Sequence, residues 1–218
     1  MHISTFLKLR KFSLRVIGFV DMVAIRTLLN QNERLKHLTL GGFLDNGLSW
    51  DLAFQSATIN NLTRIDLFDT CVSHFVLIRI ASAHNLQSLT LHGGFVDLYS
   101  ASVLFASDRI IDESHTLWPY LEAFRFILVG QGEQPTLYQS VAHCLQKRDN
   151  LRRLDLGSCP WNLVRDILPD LKNLRVLSVQ IYHLSKRVVK SLVESIPKQM
   201  VATRLWANIS EDPLVCPL

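Results

Sequence analysis

The segment Asn150–Leu156, which reads Asn-Leu-Arg-Arg-Leu-Asp-Leu, decides how the whole chain is interpreted. Its leucines, Leu151, Leu154 and Leu156, occupy positions 1, 4 and 6 of a short frame. Successive side chains of a strand point to opposite faces, so positions 4 and 6 share one face and positions 3, 5 and 7 share the other. The segment is therefore predicted to be one strand with a buried side and a solvent-facing side.

The same frame recurs along the chain at intervals of 23 to 35 residues. A faded eighth copy begins at Met200, and the other seven begin with leucine. These leading residues are Leu9, Leu35, Leu62, Leu86, Leu121, Leu151 and Leu174. Apolar residues at helical spacing fill the intervals, so each unit is predicted to hold one strand and one helix. Periods of about 20–29 residues with a Leu-x-x-Leu-x-Leu frame are typical of leucine-rich repeats.

The predicted fold is α/β, a single leucine-rich-repeat domain over residues 1–218 with about 7–8 irregular repeats. We expect a curved, horseshoe-shaped solenoid with parallel strands on its concave side and helices on its convex side. An asparagine precedes four of the leading leucines, at Asn61, Asn85, Asn150 and Asn173. Asparagine tolerates the left-handed conformation, so we expect these residues to close the helix-to-strand turns in it. A solenoid usually needs a terminal cap, and we expect one to precede the first frame.

The composition favours a folded intracellular protein. The chain is 48% hydrophobic and carries a net charge of +4 that is spread along its length, so we expect no nucleic-acid partner. Its four cysteines are widely spaced, which favours a reducing compartment, cytoplasmic or nuclear. No apolar run approaches 18 residues, so we expect no membrane association.

Fragments of catalytic and metal-binding motifs occur, but each is incomplete. Leu91–Phe95 is similar to the oxyanion loop of some esterases, yet the chain has no Gly-x-Ser-x-Gly elbow. Gly130 and Gly132 lack the third glycine of a dinucleotide loop. The cluster from Asp108 to His115 is explained by acidic residues near a helix start. We therefore predict no enzyme, no catalytic residue, no cofactor and no metal.

The solvent-facing positions of the strands suggest a different activity. Arginine and aromatic side chains stand there among small polar residues, as they do at protein-binding surfaces. The residues predicted to contact a protein partner are Lys11, Arg15, His37, Arg64, Asp66, Phe68, His92, Arg125, Arg153 and Asp155. Charge reversal at Arg64, Arg125 and Arg153 is expected to weaken partner capture and to leave thermal stability unchanged.

Four segments resemble the leucine-rich-repeat portion of F-box proteins, particularly of the divergent fungal kind. They are Leu35–Phe43, Leu86–Phe95, Leu117–Phe126 and Leu151–Cys159. Many leucine-rich repeats place Asn or Cys at position 9, and among the seven clear units only Cys159 conforms. The resemblance implies the substrate receptor of a ubiquitin ligase, whose F-box segment holds the ligase adaptor. We recognise no F-box segment before the repeats, so an adaptor is an expected partner only if that segment is missing from this chain.

Two other functions stay open at this point. One is a small-molecule enzyme, hydrolase-like, that would use the insertions between residues 92 and 135. Two surface insertions fall in that region, at 107–115 and at 130–135. The other is a degenerate structural fragment with no dedicated partner.

Overall fold

The chain alternates strands with helices along one sheet. The computed structural model describes residues 8–17, 20–42, 50–70, 72–93, 101, 105, 117–127, 135–146, 148–159, 161–184, 194, 196 and 200–209. The strands are β1 (Lys11–Arg15), β2 (His37–Gly41), β3 (Arg64–Phe68), β4 (Ser88–His92), β5 (Ala123–Ile127), β6 (Arg153–Ser158), β7 (Val176–Leu184) and β8 (Ala202–Ile209). The helices are α1 (Met22–Asn30), α2 (Asp51–Phe54), a 3₁₀ helix (Ala57–Asn61), α3 (His74–Ala81), α4 (Pro135–Gln146) and α5 (Trp161–Ile167).

The eight strands form one open parallel sheet in sequence order, from β1 to β8. The register between neighbours confirms the frame at positions 3 to 6, each of which pairs with the same position of the next unit. The register shifts after Leu156 of β6, where Ser158 pairs with Gln180. Leu38 lies beside Ile65, for example, and Leu154 lies beside Leu177. The faded eighth copy also keeps the frame, since Leu205 pairs with Val179. The α/β class and the parallel strands are thus confirmed.

The hydrophobic core lies between one face of the sheet and the helices. Positions 4 and 6 of β2 to β7 are buried, as the alternation of the frame predicts. Helix residues such as Leu29, Phe54 and Val76 join them in one apolar cluster. The helices therefore cover the face that carries positions 4 and 6, and they leave positions 3, 5 and 7 on the other side.

An aromatic group fills the core under β5. The rings of Phe124 and Phe126 lie 6.0 Å apart and stack, and the ring of Phe105 meets both edge-on. Trp118 packs against Phe105, and its buried indole Nε1 donates to the carbonyl oxygen of Ile80 at 2.9 Å. The indole is therefore buried without losing its hydrogen bond.

None of the four asparagines before the leading leucines has the expected conformation, and two of them bind the preceding unit through their side chains. Non-glycine residues with positive φ in the described part of the chain are Asp69 and Trp118, so the expected left-handed conformation is wrong. Instead the side-chain amide of Asn150 donates to the carbonyl oxygen of Pro119, and that of Asn173 donates to Asp149. Each bond satisfies a turn carbonyl of the preceding unit and ties neighbouring units together.

Several sequence predictions fall outside the described residues or change in detail. The insertion at 107–115 and nearly all of that at 130–135 lie outside them. The stretch after Trp50 forms two short pieces, α2 and the 3₁₀ helix, in place of one helix. Over the described ranges, no helix has the length and apolar character needed to cross a membrane.

Candidate protein-binding face

The face of the sheet opposite the helices carries positions 3, 5 and 7 of the strands, and we call it the open face. The parallel register aligns positions 3 and 5 into rows across β1 to β7, and it aligns position 7 into a row across β1 to β5. All ten residues predicted to contact a partner lie on this face, distributed over β1 to β6. The structure therefore brings them onto one surface, although it does not expose all of them.

The carboxylates on this face are largely buried, which corrects the expectation that position 5 faces solvent. The side chain of Asp66 is 4% exposed, and its Oδ2 lies 2.6 Å from Nε of Arg64. The hydroxyl of Thr39 on the neighbouring strand donates to the same oxygen at 3.3 Å. Parallel strands lie about 4.8 Å apart, so long arginine side chains cover their shorter neighbours. Asp66 therefore holds an arginine in place and is not itself a surface contact.

A second arginine–aspartate ion pair lies two strands away, and it joins two strands where the first lies within one. Arg125 and Asp155 pair directly across β5 and β6, with Nε and Oδ2 3.1 Å apart. The contact is an ion pair without a hydrogen bond, since the buried Nε of Arg125 has no hydrogen-bond partner among the described residues. Asp155 is also buried, as is Thr90 in the same row. The prediction that these position-5 residues are exposed is wrong.

An aromatic group forms the position-7 row. The guanidinium carbon of Arg15 lies 5.3 Å from the ring centroid of Phe68, and the ring of His92 meets Phe68 edge-on at 5.8 Å. Gly41 separates Arg15 from Phe68, and a Cβ there would lie 3.2 Å from Cβ of Phe68. Because glycine leaves this space open, the arginine reaches across a whole strand to form a cation–π contact.

A depression of about 170 Å³ lies between the two arginines of the position-3 row. Sequence reasoning did not predict it. Its lining residues are Arg64, Phe68, Ser88, Leu89, Thr90, Ala123, Phe124, Arg125 and Arg153. We call this depression the arginine groove. The sequence could have indicated the groove, because aligning the frames places two small residues, Ser88 and Ala123, between Arg64 and Arg153 on neighbouring strands.

Two histidines of the open face have lowered pKa values. Burial is the main cause of the lowered pKa of His37, and Lys11 and Arg64 add to it. Burial also lowers the pKa of His92, with Arg125 as the next cause. Nδ1 of His92 is buried without a hydrogen-bond partner among the described residues. Both imidazoles are therefore neutral at neutral pH, and the positive charge of the face comes from lysine and arginine.

Acidification is expected to destabilise the protein through these histidines. Their pKa values in the folded chain lie below the ordinary value of 6.5, so the folded state binds fewer protons than the unfolded state. Their contribution to stability is present above pH 6.5 and is lost as the pH falls through the lowered values. We expect Tm to drop between about pH 7.5 and about pH 5.5, and to drop less in the variant His92→Gln. The exposed His84, changed to Gln, is the control, and equal pH dependence in the two variants would contradict the assignment.

The described cysteines, Cys144 and Cys159, are both buried. Burial raises the pKa of Cys159 to about 12, so its thiol stays protonated at neutral pH. Cys71 and Cys216 lie outside the described residues. Within the described part of the chain, no group of three or more His, Cys, Asp or Glu side chains could hold a metal ion.

Comparisons with known proteins assign no family to this chain, although 22 chains of solved structures match it. No protein-family model matches it. No curated protein matches it. A crystal structure of a Bacteroides fragilis protein, a target of the Northeast Structural Genomics Consortium, is similar at 16% identity and a TM-score of 0.49. The alignment covers 92% of this chain and 66% of that protein. The proposals below therefore depend on the geometry of the open face.

Proposed function

We propose that this chain is a leucine-rich-repeat array and that it acts as a protein-binding module without catalytic activity. The repeat assignment is supported by the recurring frame, in which like positions of eight consecutive strands pair with one another. Repeats of this kind bury their apolar residues only by stacking, and they offer a continuous sheet surface to a partner.

One observation carries the binding role. The open face gathers Arg64, Arg125, Arg153 and Phe68 around a single groove, although they come from three different strands. Arginine and aromatic residues dominate the energy of protein interfaces when they stand together. The ion pairs with Asp66 and Asp155 hold two of these arginines in place, which reduces the entropy lost on binding.

We also propose a narrower role, which follows from the resemblance to F-box proteins. In that role the open face selects substrates for a ubiquitin ligase, while an F-box segment of the longer protein holds the ligase adaptor. The narrower role is separable from the first, because a repeat array can bind a partner outside any ligase.

Affinity capture from native extract with mass spectrometry tests the binding role. We expect the folded chain to retain at least one protein that the Arg153→Glu variant fails to retain. The adaptor would be held by an F-box segment and not by the repeats, so the ligase role is tested on the captured partner. A longer lifetime of that partner in cells that lack this protein would support the ligase role, and an unchanged lifetime would remove it. Recovery of the same proteins by the wild type and the variant would contradict binding through the open face.

A further inference from the structure

The arginine groove has a floor of small side chains. Its position-3 row reads Arg64, Ser88, Ala123 and Arg153 on four neighbouring strands. Neighbouring strands are about 4.8 Å apart, so the outer arginines stand about 14 Å apart at their Cα atoms. The short side chains of Ser88 and Ala123 leave this space unfilled. A partner side chain can therefore enter between the two arginines without displacing protein atoms.

The terminal guanidinium nitrogens of the groove arginines are available to a ligand. Arg64 and Arg125 approach their aspartates through Nε, and their side chains are 52% and 40% exposed. Arg153 forms no ion pair within the part of the chain that the structure describes, and it is exposed. The two terminal nitrogens of a guanidinium match the two oxygens of a carboxylate. The terminal guanidinium nitrogens of Arg64, Arg125 and Arg153 are thus available to donate hydrogen bonds to a ligand.

The local charge favours a single negative charge on the ligand. Three arginines line the groove and two aspartates, Asp66 and Asp155, pair with two of them, which leaves one net positive charge. One carboxylate would balance it. A phosphate monoester carries a charge of roughly −2 at neutral pH, and its excess would lie close to the two aspartates.

We infer that the arginine groove binds the carboxylate of a glutamate side chain in an acidic segment of the protein partner. The two methylene groups of glutamate would lie over Ala123, between the flanking arginines, while its carboxylate meets the guanidinium groups. This inference rests on the proposed function, because it supplies the chemistry by which the open face recognises a partner.

Fluorescence anisotropy with defined peptides tests the inference. The probe is a fluorescein-labelled, C-terminally amidated octapeptide of alternating Glu and Ser residues. The second and third peptides replace each Glu by Gln or by phosphoserine. The proteins are the wild type, Arg153→Glu, Ala123→Leu, which fills the groove, and Arg152→Glu, which makes the same charge change at an exposed residue outside the groove. Thermal melting of each variant verifies that it is folded.

We expect the Glu peptide to bind the wild type and to bind Arg153→Glu and Ala123→Leu about tenfold more weakly. Binding to Arg152→Glu should stay within about twofold of the wild type, and the Gln peptide should bind about tenfold more weakly than the Glu peptide. Any of four results overturns the inference. They are no binding of the Glu peptide, equal losses in Arg152→Glu and Arg153→Glu, equal binding of the Glu and Gln peptides, and tighter binding of the phosphoserine peptide.

The outcomes separate this inference from the proposed function. If partner capture depends on the open face while the Glu peptide fails to bind, the carboxylate inference is wrong and the binding role stands. If the Glu peptide binds with the expected pattern while no partner is captured, the groove is a carboxylate site and the proposed function fails.

Discussion

Replacing Phe126 by alanine is expected to lower the free energy of unfolding by about 3–5 kcal/mol. Phe126 is fully buried at position 6 of β5, where its ring meets those of Phe105, Phe124 and Tyr138 at 6.0 Å each. Truncation removes the transfer free energy of the ring and leaves a cavity that a stacked repeat cannot readily close. Urea denaturation followed by circular dichroism measures the change.

The matched control is the next residue on the same strand. Ile127 is half-buried on the open face, so Ile127→Ala is expected to cost only about 1 kcal/mol. The comparison tests which face of β5 is buried, and it measures how much more stability the buried side chain contributes. Equal losses at the two positions, or a larger loss at Ile127, would mean that the faces are wrongly assigned.

Reversing the charge of Arg64 is expected to cost about 2 kcal/mol of stability, whereas Arg153→Glu should leave stability within about 0.5 kcal/mol of the wild type. Arg64 is the ion-pair partner of Asp66, whose carboxylate is buried and whose Oδ1 has no hydrogen-bond partner in the described part of the chain. A glutamate at position 64 would put a second negative charge beside it. The exposed outer half of Arg64 keeps the cost below that of a fully buried pair.

This result would correct the expectation, drawn from the sequence, that all three arginines can be reversed without loss of stability. The charge-swapped double variant Arg64→Glu, Asp66→Arg is the control, because it restores an opposite-charge pair at the same site. We expect the double variant to be more stable than Arg64→Glu alone by thermal and urea denaturation. A stable Arg64→Glu single variant would show that the ion pair does not hold the open face together.

The strands and their register were predictable because the frame has strong physical causes. Leucines at positions 4 and 6, such as Leu154 and Leu156, can be buried together only in a strand of period two. A one-residue slip would expose them all, so the pairing of like positions follows from the sequence. The lengths of β7 and β8, nine and eight residues, were not predictable, because no repeated pattern marks where a strand ends.

The candidate site was predictable only in its outline. The alternation of the frame places Asp66 and Asp155 on the open face, but their burial depends on how neighbouring arginine side chains lie over them. The arginine groove exists because the side chains of Ser88 and Ala123 are short. A gap of this kind can be recognised only when neighbouring strands are aligned side by side. The sequence showed that Asn150 and Asn173 stand at the turns before the strands. It could not show that they link units, because their hydrogen-bond acceptors are carbonyl oxygens of the preceding repeat.

The most direct test of the central claim is the affinity of Arg153→Glu for a partner captured by the wild type, measured beside Arg152→Glu. Both variants make the same charge change on neighbouring exposed residues, and only Arg153 lines the groove. Binding through the open face predicts that Kd rises about tenfold or more in Arg153→Glu and stays within about twofold in Arg152→Glu. Equal values of Kd for the two variants would contradict it.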